Sequence, residues 1–246
     1  RMKIPRIISV DDHVVEPPDL WSARLPAKYQ DRGPRIIRER GKMGGPLGMQ
    51  WVPDSSGDWA DIWYYDDLVY PFSRLSAAVG MGDLAFATTT FDEIRPGCWK
   101  QKERLADMDA NHVDVSICFP NTLPRFCGQT FMERDDKDLG LLCVQAYNDF
   151  LVDWSSADSN RLLPVMALPF WDVEESVKEI QRSAAKGHRA VLFGSRPESF
   201  GAPPLAHTYW DPVWAATQDA GLSVSFHTGA GDMSDITNDG ANTGAK

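Results

Sequence analysis

Five short apolar runs mark this chain, at residues 7–10, 113–120, 162–170, 190–193 and 222–226. Each has strand length and is closed by a proline, glycine, histidine or charged residue at its end or within two positions beyond it. Between the runs the spacing changes to that of helices. Residues 101–110 place Leu105 and Met108 on one face. Residues 138–154 repeat Leu139, Leu142, Cys143, Ala146, Tyr147, Phe150, Leu151 and Trp154 at helical intervals. A further helix opens with Asp172 as N-cap and Glu175 three residues on, carries Val173, Val177, Ile180 and Ala184 inward, and stops at Gly187. The last opens at Asp211-Pro212, read as a capping carboxylate with proline at the first helical position, and ends at Gly221. Strands alternating with helices predict an α/β fold with parallel pairing through crossovers.

Two stretches fall outside this rhythm. Residues 33–97 lack clear periodicity and hold an aromatic patch with Trp59, Trp63, Tyr64, Tyr65 and Tyr70; they are expected to form an irregular or short-stranded insertion over the strand ends. Its glycine-rich part, from Gly41 to Gly48, has no following Gly-Lys-Ser/Thr and no helix behind it, so it is no phosphate loop. Residues 232–246 are polar with no core-forming face and are expected to be loop or disorder.

Length suits one domain over residues 1–246, with that insertion inside it. A formal charge of −10 argues against nucleic-acid and anionic-membrane partners, which would be repelled on most approaches. No apolar run reaches the roughly 18 residues of a spanning helix. The four cysteines, Cys98, Cys118, Cys127 and Cys143, show no CxxC spacing and point to free thiols in a reducing cytoplasm.

Candidate chemistry concentrates where the first run ends. Asp11 and His13 are two residues apart, so a strand turns both to one face and Asp12 to the other. A carboxylate and an imidazole side by side at a strand end form half of a divalent-metal site; the alternative is a solvated acidic strand end. Pro17 and Pro18 then force the chain out of the sheet. His227 closes the fifth run in the same manner. His112, His188 and His207 lie at strand starts or in a polar loop and read as surface or stability residues.

These residues resemble amidohydrolase family 2, the branch of the metal-dependent amidohydrolase superfamily that includes the decarboxylases of aminocarboxymuconate semialdehyde and γ-resorcylate. Four places carry the likeness: Ser9-Val10-Asp11-Asp12-His13 with Glu16-Pro17-Pro18-Asp19-Leu20-Trp21; Arg104-Leu105-Ala106-Asp107-Met108-Asp109 running to Phe119-Pro120; Tyr209-Trp210-Asp211-Pro212-Val213-Trp214; and residues 222–229 with His227-Thr228-Gly229. The resemblance implies a (β/α)₈ TIM barrel, of which about the first five strands are present. It also implies functional residues at the C-terminal ends of strands. By the same resemblance Asp11, His13 and His227 are ligands of one divalent ion, zinc first and manganese second. The acid/base histidine is expected beyond this chain. The implied substrate is a small aromatic or unsaturated carboxylic acid, acted on by metal-assisted decarboxylation or metal-hydroxide hydrolysis. The alternative is a truncated metal- or ligand-binding remnant that works by association. A homo-oligomer or a missing C-terminal segment is expected to cover the open side of the sheet.

Trp21, Asn121, Arg125 and Phe193 would face the same mouth. Arg125 suits either a bidentate grip on a substrate carboxylate or a surface ion pair. Trp21 suits loop packing better than stacking on substrate. Glu16 either fixes the His13 tautomer or lies in a solvated loop.

Overall fold

The computed structural model describes residues 5–44, 50–80, 87–125, 127–227 and 230. In chain order its main elements are β1 (Ile7–Val14), β2 (Arg35–Gly44), β3 (Gln50–Pro53), β4 (Asp58–Tyr65), β5 (Leu68–Pro71), α1 (Gln101–Ala110) and β6 (Val113–Pro120). There follow α2 (Gln129–Met132), α3 (Lys137–Ser155), β7 (Leu162–Met166), α4 (Val173–Lys186), β8 (Ala190–Phe193), α5 (Asp211–Asp219) and β9 (Ser223–Phe226). One sheet has the order β1-β6-β7-β8-β9, and the pairs β1/β6, β7/β8 and β8/β9 are parallel. Helices α1, α3, α4 and α5 each precede a strand of it. This is the β/α repeat of a TIM barrel over its first five strands. Among the described residues no helix is long and apolar enough to cross a membrane. The predicted tail over residues 232–246 lies outside the described residues.

The chain divides into two compact units, residues 1–123 with 153–163, and residues 124–152 with 164–246. The first unit contains β1, β6 and a four-stranded antiparallel sheet of order β3-β2-β4-β5. The insertion is therefore more regular than its sequence suggested. In β4, the run Ala60, Asp61, Ile62 and Trp63 is buried on both faces, so polar-apolar alternation is lost. One face packs Ala60 and Ile62 with Trp51, Met43 and Tyr64. On the other, Trp63 meets the wholly buried Trp21 edge-on at 5.2 Å. Asp61 is tolerated inside because Arg38 donates to both its oxygens, at 2.8 and 2.9 Å, and the Phe91 amide donates at 2.7 Å.

β1 is more exposed than an apolar run would suggest. Ile8 and Val10 are 55% and 64% exposed, and the pairing with β6 shifts register between Ser9 and Asp12. Three steps along β1 there match two along β6, a bulge that places the extra residue at Val10–Asp11.

In the second unit the Asp172 carboxylate accepts the Glu175 amide at 3.0 Å, and Gly187 ends α4 with φ 116°. Helix α5 starts at its predicted cap, one residue early. Trp210 is the N-cap and Asp211 lies in the first turn, with Pro212 beside it. A carboxylate there still complements the helix dipole.

Candidate functional site

Asp11 and His13 lie on β1, followed by the buried Val14 and Val15. The His13 Nδ1 is 2.7 Å from the Pro120 carbonyl at the end of β6. A carbonyl can only accept, so Nδ1 carries the proton and donates. In the neutral tautomer that this bond selects, the lone pair is on Nε2, the atom that lies 3.7 Å from Asp11 Oδ1. Two donors bound about 2.1 Å from one metal ion at a roughly tetrahedral to trigonal angle are about 3.4–3.6 Å apart, and this pair is close to that. The pair thus has the spacing and tautomer of two ligands of one cation. The bulge does not break the Asp11/His13 pairing that the two-residue spacing predicted.

His13 is held elsewhere too. Arg104, on α1, donates to the His13 carbonyl at 2.7 Å and to the Gly97 carbonyl at 2.6 Å. His13, Arg104, Cys98 and Asn121 border a cleft of about 540 Å³ in the first unit. Burial raises the Cys98 thiol pKa, and pushes Cys118 up to about 11 and Cys127 up to about 12. These thiols stay protonated near neutrality and are poor nucleophiles.

Glu16 does not lie in the solvated loop that was one expectation for it. It is fully buried, and its carboxylate holds the turn beyond β6: Asn121 N donates to Oε1 at 2.7 Å, and Thr122 donates to Oε2 through its amide at 2.8 Å and through its hydroxyl. Burial raises the Glu16 pKa, opposed by those donors. The atom that accepts from His13 Nδ1 is the Pro120 carbonyl oxygen. A main-chain acceptor leaves no letter in the sequence. Arg104 lies in one of the stretches that carry the family likeness, but helical spacing does not show that it reaches His13.

The remaining candidates are placed as follows. His227 directly follows β9 in the second unit and is half-buried; its neighbours Thr228 and Gly229 lie outside the described residues. Asn121 follows β6, and its side-chain amide donates to the Ser76 carbonyl at 2.7 Å. Arg125 has φ 56° and donates to Glu133 at 2.6 Å. Phe193 ends β8 fully buried, with the Trp210 and Trp214 rings each 4.9 Å away. Trp21 packs on Trp63. Of the other histidines, His188 is buried, His112 has φ 59° in the α1–β6 turn, and His207 accepts the Tyr209 amide at 3.0 Å.

A family model described as amidohydrolase matches residues 59–240. Among solved structures, an amidohydrolase from Mycobacterium avium subsp. paratuberculosis K-10 is similar with TM-score 0.62 and 21% identity, over 91% of this chain and 59% of that one. A dihydroxybenzoic acid decarboxylase from Polaromonas sp. JS666, with bound manganese and the inhibitor 2-nitroresorcinol, is similar with TM-score 0.50 and 16% identity, over 97% of this chain and 54% of that one. The chain therefore spans a little over half the length of these proteins. No curated protein matches it.

Proposed function

The chain belongs to amidohydrolase family 2, and on that premise we propose that Asp11, His13 and His227 hold one divalent cation for chemistry on a small aromatic or unsaturated carboxylic acid. The Asp11–His13 pair carries this reading, with its 3.7 Å donor separation and an imidazole tautomer that puts the proton on Nδ1. His227, at the end of a parallel strand of the same sheet order, supplies a further nitrogen donor. An imidazole and carboxylate set suits zinc and manganese alike. Manganese is the metal in the Polaromonas decarboxylase. When bound, the ion supplies positive charge that polarises a substrate oxygen or acidifies a water.

The chain's own contribution is orientation. Pro120 and Arg104 hold the His13 ring and backbone, so the ligand atom is fixed before an ion arrives. The reaction is loss of CO₂ or hydrolysis of a C–N or C–O bond. Exposed Ile8 and Val10 support a further chain or segment covering β1.

Incubation of the manganese- and zinc-loaded chain with aromatic acids and their amides tests this, with CO₂ and ammonia followed separately. Release of either product, abolished by His13→Ala, is expected. Stoichiometric metal with neither product would favour a metal-binding protein that acts by association. Absence of divalent-metal binding would overturn the proposal.

A further inference from the structure

Pro120 and Asn121 share one peptide group, and both of its ends are engaged. Its carbonyl accepts from His13 Nδ1 at 2.7 Å, and its N–H donates to Glu16 Oε1 at 2.7 Å. A trans peptide points these two groups in opposite directions in one rigid plane. The result is a file of carboxylate, peptide and imidazole, in which each hydrogen bond polarises the next. Many metal-binding histidines donate directly to a carboxylate, which fixes the ring and raises its basicity. Here a peptide group stands between the two.

The carboxylate is itself well secured. Glu16 is wholly buried, and Thr122 donates to its other oxygen through both amide and hydroxyl. A buried carboxylate is costly to desolvate. A neutral side chain would close a turn at lower cost, but a carboxylate alone offers both oxygens as acceptors to three donors.

We propose that Glu16 is a positioning residue for the metal centre: acting through the Pro120–Asn121 peptide, it orients His13 and holds the proton on Nδ1, leaving Nε2 as the ligand atom. The inference rests on the metal site proposed above, but the tautomer half of it does not need the ion. Loss of the Glu16 carboxylate frees the peptide to rotate and weakens the carbonyl as an acceptor. The imidazole then populates both neutral tautomers, and metal binding must first select one of them.

The test compares the full chain with its Glu16→Gln and Glu16→Asp variants, the second keeping the charge but withdrawing it from the peptide. Nitrogen-15 NMR of the metal-free protein at about pH 8, where a free imidazole is neutral, reads the His13 tautomer. Titration with manganese and with zinc reads Kd, and a melt reads stability. The expected result is one Nδ1–H tautomer in the wild type, a mixture in either variant, and Kd raised roughly 10-fold or more. Asp61→Asn is the control for a purely structural role, since it removes another buried carboxylate that accepts a backbone amide in the same unit. It should lower the melting temperature with tautomer and Kd unchanged. An unaltered tautomer and Kd in a folded Glu16 variant would overturn the inference. A wild type that binds no metal would instead overturn the site reading, with the tautomer data still judging Glu16.

Discussion

His188 should make the second unit acid-labile, with a sign and size that follow from its surroundings. It is 2% exposed, directly after the α4 stop at Gly187. Its Nε2 donates to the Asn148 carbonyl at 2.9 Å, and Nδ1 has no hydrogen-bond partner among the described residues. Asn148 also donates to Glu179 at 2.6 Å, and Arg182 bonds both Glu179 and Asp149. Burial, the largest cause, lowers the His188 pKa from 6.5 to about 4. Between those two values the unfolded chain binds a proton that the folded chain refuses. The stabilisation is therefore complete above pH 6.5 and is lost as pH falls toward 4. At about 1.4 kcal/mol per pH unit, this amounts to about 3 kcal/mol. Urea unfolding of the wild type and of His188→Gln, which keeps a donor for Asn148, reads it at several pH values. From pH 7.5 to 4 the wild type should lose about 3 kcal/mol more than the variant. Parallel profiles, or an imidazole NMR titration near 6.5 in the folded chain, would refute the reasoning.

Two further predictions concern the first unit. Asp61→Asn withdraws an ionised acceptor from Arg38 while the side chain stays buried, and should cost about 2–4 kcal/mol by urea unfolding; a cost below about 0.5 kcal/mol would contradict the pairing described. A Cβ at Gly41 would come within 2.4 and 2.6 Å of the Trp51 ring and 2.6 Å of the Val52 carbonyl oxygen. Gly41→Ala should therefore displace Trp51 and cost about 1–3 kcal/mol in thermal unfolding, whereas a neutral effect would mean the β2–β3 packing is looser than it looks.

Elements whose signals are local were legible in the sequence. Helix α4 announced itself through Asp172, Glu175 and Gly187 because capping chemistry resides in single side chains. Strands β6 and β8 were equally clear from their apolar runs. Strand β4 was hidden because Trp21 covers one of its faces and Trp51 the other, while an ion pair with the half-exposed Arg38 lets Asp61 lie among apolar neighbours. The exposure of Ile8 and Val10 could not be read from their hydrophobicity, since it depends on what lies beside β1. At the site, the spacing of Asp11 and His13 survived a bulge that period-two reasoning does not foresee. The groups that orient His13 were hidden for a different reason. One is the main-chain carbonyl of Pro120, and Glu16 reaches it through a peptide bond more than 100 residues away in sequence.

Divalent-metal content of the purified chain tests the central claim most directly, measured by elemental analysis after equilibration with manganese or zinc. The account predicts one ion per chain, lost on Asp11→Ala, His13→Ala or His227→Ala while the folded secondary structure is retained. Metal content unchanged by these substitutions, or no stoichiometric ion in the wild type, would contradict it.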